Sequence, residues 1–228
     1  MLDILNIVLT CLFGSMMTCC VVDNVFKRLI KPCAQYFLLH VCLNSYVVYI
    51  TCGEAWDFFL SPEIDVSTYT ENSVKSASVC IGFHMYHYLT AELDFETKVH
   101  HIVTVFITGS TSLLIPSGRL TAACNFIMCG LPGGIDYALL VLYKYNIIES
   151  ITEKYINRWL NLLIRMPGMM LISWYIFINI FSGQLIWHKY ILIIMASSLM
   201  TINSIYYCNK TVGNYHVRLY EKNQLKKN

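Results

Sequence analysis

The chain has 228 residues, of which 56% are apolar and only 13% are charged, and its formal net charge is +2. A soluble domain has too few buried positions for so many apolar residues, and so small a net charge does not indicate a polyanionic partner. The composition therefore excludes a soluble enzyme, a disordered tail and a nucleic-acid-binding protein.

Long apolar runs predict seven membrane-spanning helices, because about 20 apolar residues cross the hydrocarbon core of a bilayer. In chain order these helices are expected at 4–22, 34–52, 74–90, 99–115, 120–143, 159–181 and 186–207. The first run could instead be a cleaved signal peptide. Its length, and Asp3 in place of a basic amino-terminal region, favour a retained helix. The sequence thus predicts an all-α integral membrane protein with about seven transmembrane helices.

The basic residues predict the orientation, because Lys and Arg are retained on the cytosolic side of a membrane. If the amino terminus is lumenal, twelve of the 16 basic residues fall in cytosolic segments, three fall on the opposite side and Arg165 lies within a span. The carboxyl terminus is then cytosolic. We predict three segments: a first transmembrane helix with a basic cytosolic loop (1–33), a six-helix membrane domain (34–210) and a basic cytosolic tail (211–228).

Ionisable side chains inside a bilayer cost several kcal/mol each and usually mark a functional interior. Seven ionisable residues of the predicted spans fall within about 12 Å of the cytosolic boundary when position along a helix is converted to depth at about 1.5 Å per residue. They are His40, His84, His87, His100, His101, Asp136 and Arg165. Chance placement would spread them over both leaflets, so we expect a common polar chamber in the cytosolic half of the membrane.

The local spacings refine this expectation for the histidines. His84 and His87 are three residues apart and share one face of a helix, and Thr104 follows His101 by the same interval. A single membrane histidine more often packs through a hydrogen bond than acts in chemistry, and this is the plainer interpretation of His40 or of His84 taken alone. The adjacent pair of His100 and His101 favours function, because two neighbouring imidazoles are a poor choice for packing.

Asp136 and Arg165 lie at matched depth and are the obvious candidates for an ion pair. The pair could be a structural clasp or a charged part of the site. Asp136 follows the helix-breaking run 131–135, which is tolerated where the backbone faces protein or a water-filled cavity, or which simply bends the helix.

Most of the ten cysteines lie inside apolar runs, where a thiol behaves as a small hydrophobic group, so we predict no disulfide framework. A zinc site from His84, His87 and one of the adjacent histidines is geometrically conceivable. No Cys/His motif of recognised spacing accompanies it, so no metal and no bound cofactor are predicted.

Four stretches, at 82–88, 94–96, 100–104 and 130–137, resemble the TLC domain shared by TRAM, Lag and CLN proteins. With the helix count, the resemblance covers nearly the whole chain and is strongest to small stand-alone TLC-domain transmembrane proteins, and more distant to ceramide synthases. It implies a TLC-type helical bundle that encloses a polar chamber, and a location in the endoplasmic reticulum.

In ceramide synthases the paired histidines join a fatty acyl group from acyl-CoA to the amine of a sphingoid base, and His100 and His101 match that pair. The synthase motif continues to a His-Asp pair and a further Asp. Here Pro132 and Gly133 stand at the His-Asp positions, and Asp136 alone matches the later residue. The resemblance therefore implies lipid N-acyl transfer with acyl-CoA as co-substrate, and the departure favours an alternative, a non-catalytic lipid-binding protein or regulator of membrane lipid composition.

For the transfer reaction we predict three catalytic residues. His101, which shares a helix face with Thr104, is expected to act as general base or to carry the acyl group. His100 is expected to hydrogen-bond to the thioester oxygen, and Asp136 is expected to orient an imidazole. The substrate is expected to contact His40, His84, His87, Thr104 and Arg165. The predicted partners are membrane lipids and acyl-CoA, with association of further copies of the chain left open. A channel or transporter is disfavoured because the polar cluster ends in the cytosolic half.

Overall fold

The computed structural model describes residues 2–183 and 187–225, and within these ranges the chain forms seven continuous helical segments and no strand. They are α1 (Leu2–Leu29), α2 (Pro32–Leu60), α3 (Glu71–Thr90), α4 (Phe95–His100, His101–Ile107 and Thr108–Leu114), α5 (Leu120–Lys144), α6 (Ser150–Phe181) and α7 (Trp187–Leu225). The first residue of the seventh predicted span, Ile186, and the last three residues of the predicted tail lie outside the described residues. The all-helical fold predicted from the sequence is confirmed.

Five of these segments are long and apolar enough to cross a membrane: α1, α2, α5, α6 and the part of α7 from residue 191. This agrees with the predicted integral membrane protein. Helices α3 and α4 do not reach the same apolar content. In α3 the reason is visible in the buried hydroxyls of Ser73, Ser76 and Ser78, which replace aliphatic side chains.

Helix α1 lies at the side of the bundle and packs closely on α3. The contact depends on Gly82, because a Cβ atom there would lie 2.3 Å from the carbonyl oxygen of Leu12 and 2.1 Å from the hydroxyl of Ser15. About one turn farther along α3, Tyr86 donates a 2.8 Å hydrogen bond to the carboxylate of Asp23 on α1. Two apolar cores, one between α1, α2 and α3 and the other between α2, α5, α6 and α7, hold the helices together.

One end of the bundle, here called the acidic end, carries the connections 61–70 and 115–119. The amide of Gly118 donates to the carbonyl oxygen of Thr68 (3.1 Å), which ties the two connections together. Asp65 accepts hydrogen bonds from the hydroxyl of Ser67, from the hydroxyl of Thr68 and from the Ser67 amide, which lower the pKa of Asp65 to about 2.

The opposite end, here called the basic end, carries the connections 30–31, 91–94 and 145–149. The ammonium of Lys31 lies 4.9 Å from the ring centroid of Tyr145. Helix α7 does not stop near residue 207, as the sequence suggested, but continues to Leu225. Lys222 forms a 2.5 Å ion pair with Glu149, so the described part of the predicted tail is a continuation of the last helix.

Candidate functional site

A cavity of about 430 Å³ lies between α2, α3, α4, α5, α6 and α7, and among the described residues α1 contributes nothing to its lining. Its volume falls in the range of pockets that hold small molecules. Seven of the eight predicted site residues line it: His40, His84, His100, His101, Thr104, Asp136 and Arg165. His87 is buried behind His40 instead. The structure thus brings the predicted residues to one chamber.

The five histidines of the predicted site form a continuous row of rings, and all of them except His87 line the chamber. The ring centroids are 4.7 Å apart for His87 and His40, 6.1 Å for His40 and His84, 4.9 Å for His84 and His101, and 5.6 Å for His101 and His100. His84 and His87 lie on one face of α3, as their spacing predicted, and both rings contact His40 of α2. Three helices therefore supply one imidazole cluster.

Hydrogen bonds fix the tautomers of two of these histidines. The Nδ1 atom of His84 lies 2.7 Å from the carbonyl oxygen of Cys80, and that of His40 lies 2.9 Å from the carbonyl oxygen of Tyr36. A carbonyl only accepts, so in each neutral ring Nδ1 carries the hydrogen and Nε2 keeps a lone pair. Among the described residues neither Nε2 atom has a hydrogen-bond partner, and that of His40 is buried.

His100 is oriented by a residue that the sequence did not single out. Its Nδ1 atom lies 3.0 Å from the Oδ1 atom of Asn203 on α7, and its ring centroid lies 5.1 Å from that of Tyr207. With Nδ1 donating to the amide oxygen, the Nε2 atom of His100 keeps its lone pair and has no partner among the described residues. The one signal in the sequence was an asparagine inside an apolar run.

Thr104 forms its hydrogen bonds with His100, whereas its spacing placed it on the same helix face as His101. Its hydroxyl donates to the His100 carbonyl oxygen (2.6 Å) and lies 3.4 Å from the His100 Nδ1 atom. The reason is that His101–Ile107 forms a π-helix, whose wider turn leaves residue i+4 above residue i and turns residue i+3 aside. In the part of the chain that the structure describes, the buried Nδ1 atom of His101 has no hydrogen-bond partner.

Asp136 does not orient an imidazole, contrary to the sequence expectation. Within the described residues its carboxylate makes no hydrogen bond to a histidine, and its Oδ1 atom is buried without a partner. The amide of Asn203 lies beside His100, where the sequence predicted the carboxylate of Asp136.

The predicted ion pair between Asp136 and Arg165 is also absent among the described residues. Arg165 donates from Nε to the carbonyl oxygen of Met128 (3.1 Å) and from Nη1 to the Oδ1 atom of Asn161 (2.9 Å). The Met128 carbonyl is available because Pro132, four residues later, has no N–H to donate in the helix. The guanidinium thus completes the hydrogen bonding of the interrupted helix and does not reach the carboxylate.

Three π-helical segments face the chamber, and periodicity alone did not predict them. They are His101–Ile107 in α4, Phe126–Gly130 in α5 and Asn161–Arg165 in α6. In α5 and α6, a proline stands two residues after the end of the π-helical segment: Pro132 in α5 and Pro167 in α6. The Leu-Pro-Gly and Met-Pro-Gly runs are therefore the features of the sequence that could have predicted these two segments. Such segments are rare and often occur at functional sites, because they redirect side chains without ending the helix.

The chamber continues well beyond the histidines toward the acidic end. On α7 its lining runs from Lys210 to Ile193, about 25 Å at about 1.5 Å per residue. Glu96 and Lys210 form an ion pair at the basic end of this lining. Farther in, Met169, Ile172 and Ile176 of α6 face the same space, as do Ile193 and Met200 of α7. The chamber therefore joins a polar region near the basic end to an aliphatic wall.

Comparisons of the chain with protein-family models, with curated proteins and with solved structures found no match. Within the part of the chain that the structure describes, no three His, Cys, Asp or Glu side chains are grouped as a metal site. The functional proposal therefore rests on the chamber: unbonded imidazole nitrogens, two opposite charges and an aliphatic wall in one space.

Proposed function

We propose that this protein is a TLC-like membrane protein of the endoplasmic reticulum that crosses the bilayer seven times, with a lumenal amino terminus and a cytosolic carboxyl terminus, and that binds an amphipathic lipid in its chamber. The observation that carries the proposal is the joining of the histidine row to an aliphatic wall in one cavity. The Nε2 atoms of His84 and His100 can accept hydrogen bonds from a lipid headgroup. The side chains of Ile172 and Ile193 offer apolar contacts to an acyl chain.

The reaction that we propose is transfer of an acyl group from acyl-CoA to a lipid amine. His100 is the better candidate for the general base than His101, because Asn203 holds its Nδ1–H and leaves Nε2 free to accept a proton. The amine nitrogen attacks the thioester carbonyl carbon as His100 takes its proton. The C–N bond forms, the C–S bond breaks, and the imidazolium returns the proton to the departing thiolate.

The test is turnover of labelled acyl-CoA by the purified full-length protein with several lipid amines. Replacing His100 and His101 together by alanine is expected to slow transfer by about 10²- to 10⁴-fold, the usual contribution of general-base catalysis. His216→Ala is the matched control, because His216 is exposed on α7 beyond the chamber. Equal turnover by the wild type and a folded double variant would contradict the reaction.

A second candidate is a lipid-binding protein without catalysis. It is favoured by the position of Asp136, which contacts neither imidazole of the pair, and by Pro132 and Gly133 at the positions where synthases carry a His-Asp pair. This candidate predicts a co-purified lipid, stabilisation of the fold by about 2.7 kcal/mol at a lipid concentration of 100 Kd, and no consumption of acyl-CoA. Native mass spectrometry combined with the turnover assay separates the two, because an acylated product rejects pure binding.

A further inference from the structure

Two opposite charges line the chamber without contacting each other. Within residues 2–183 and 187–225, Asp136 and Arg165 form no salt bridge, although unlike charges attract strongly where water is scarce and an uncompensated buried charge is costly. Among the described residues, hydrogen bonds to the Met128 carbonyl and to Asn161 hold the Arg165 guanidinium in a position from which it makes no salt bridge to the carboxylate. A ligand placed between the two charges satisfies both without moving either side chain.

A second donor, the side-chain amide of Asn44, packs against Gly133 close to the guanidinium of Arg165. A Cβ atom at Gly133 would lie 2.9 Å from the Nδ2 atom of Asn44 and 3.8 Å from the Nη2 atom of Arg165. Asn44 is 2% exposed, lines the chamber and makes no hydrogen bond through its side chain among the described residues. Two donors, one from α2 and one from α6, thus lie close together beside Gly133 and both line the chamber.

Resting on the proposed lipid-binding function, we propose that the ligand of this chamber has a zwitterionic headgroup. Its phosphate or carboxylate accepts hydrogen bonds from Arg165 and Asn44, and its primary ammonium donates to Asp136. Gly133 and Asp136 are three residues apart on one face of α5, so the anion and ammonium positions are neighbours.

The chemistry of each group selects this headgroup over simpler ones. A guanidinium matches the paired oxygens of phosphate or carboxylate, and the Oδ1 atom of Asp136 lacks a donor that a primary ammonium supplies and a quaternary ammonium does not. A sphingoid base has an amine but no anion, so it would leave Arg165 unmatched. An anionic lipid without an amine would leave Asp136 unmatched.

The experiment measures competition for the chamber of the full-length protein in detergent, read by native mass spectrometry. The probes that carry both an anion and a primary ammonium, here called the zwitterionic probes, are phosphatidylethanolamine and O-oleoylserine, whose anions are phosphate and carboxylate respectively. The comparison probes are phosphatidylcholine, phosphatidylglycerol and sphinganine. We expect at least one zwitterion to bind about tenfold more tightly than all three comparison lipids, since loss of one charge-assisted hydrogen bond costs about that factor. Whichever of the two zwitterionic probes binds more tightly shows whether the anion of the ligand is a phosphate or a carboxylate.

Variants assign each charge to its partner. Arg165→Gln is expected to weaken phosphatidylethanolamine binding by about tenfold and to leave sphinganine binding nearly unchanged. Asp136→Asn is expected to weaken phosphatidylethanolamine and to spare phosphatidylglycerol. Arg119→Gln, which alters an exposed arginine, is the control.

The wild-type ranking alone decides the proposal if a variant does not fold. Equal binding of phosphatidylglycerol and phosphatidylethanolamine would overturn the ammonium contact, and equal binding of sphinganine would overturn the anion contact. A protein that retains no lipid of any class would instead contradict the proposed function itself.

Discussion

The Oδ1 atom of Asn203 lies 3.0 Å from the Nδ1 atom of His100 and links the last helix of the bundle to the fourth. The amide oxygen accepts from Nδ1–H, so the base of the neutral ring is the Nε2 atom. An uncharged partner therefore sets the tautomer of His100, and no further charge is added to a chamber that already holds Asp136 and Arg165.

Replacing Asn203 by alanine is expected to slow acyl transfer by up to about 10²-fold, because the His100 ring loses the acceptor that fixes its tautomer. Asn203→Asp keeps an acceptor at the same position and is expected to restore a large part of the rate. Turnover of labelled acyl-CoA measures both effects. If the two variants lose activity equally, and in proportion to a fall in unfolding temperature, Asn203 supports the fold and does not position His100.

Gly82→Ala is expected to destabilise the protein by about 1–3 kcal/mol, the usual cost of overpacking, because the new methyl group would meet the Leu12 carbonyl and the Ser15 hydroxyl. Gly53→Ala is the matched control in α2, where a Cβ atom meets nothing within 4 Å. That change is expected to stabilise by about 0.5–1 kcal/mol. Thermal unfolding of the two variants side by side measures the difference, and equal midpoints would contradict the close contact of α1 with α3.

The helical fold and the set of chamber residues were largely predictable, because both follow from where polar residues interrupt apolar runs. His40, His84 and His101 lie on three helices, yet their shared depth in the membrane alone predicts that they line one chamber. The depth of a residue changes little when the predicted end of its helix is wrong by a few residues. Depth was therefore sufficient to predict a common chamber.

The contacts within the chamber were less predictable, because they depend on rotation about each helix axis. The π-helical segment that begins at His101 turned Thr104 to His100, and Pro132 freed the Met128 carbonyl that holds Arg165. Residue spacing predicts the angular position of a side chain only where the helix has 3.6 residues per turn, so the prediction fails in a π-helical segment, where the turn is wider.

Mild oxidation with diamide is expected to join Cys80 and Cys129, whose Sγ atoms lie 3.7 Å apart on the chamber wall. The thiols need only approach to about 2.05 Å, and diamide takes up the two hydrogen atoms that they lose. Peptide mapping without reductant measures the cross-link. Cys129→Ser should abolish it, and oxidation that leaves Cys80 and Cys129 unlinked would contradict the packing of α3 on α5.

Tyr215→Ala is expected to loosen the end of α7 from α6. The Cζ atom of Arg158 lies 4.0 Å from the ring centroid of Tyr215, and such cation–π contacts contribute about 0.5–2 kcal/mol. Loss of the ring should speed tryptic cleavage after Arg218, because the helix beyond Cys208 must open before the protease can bind its backbone. Tyr220→Ala removes a tyrosine that is 65% exposed on the same helix and should leave the cleavage rate unchanged. Equal acceleration by both substitutions would mean that Arg158 does not anchor this part of α7 and that helix propensity alone sets its stability.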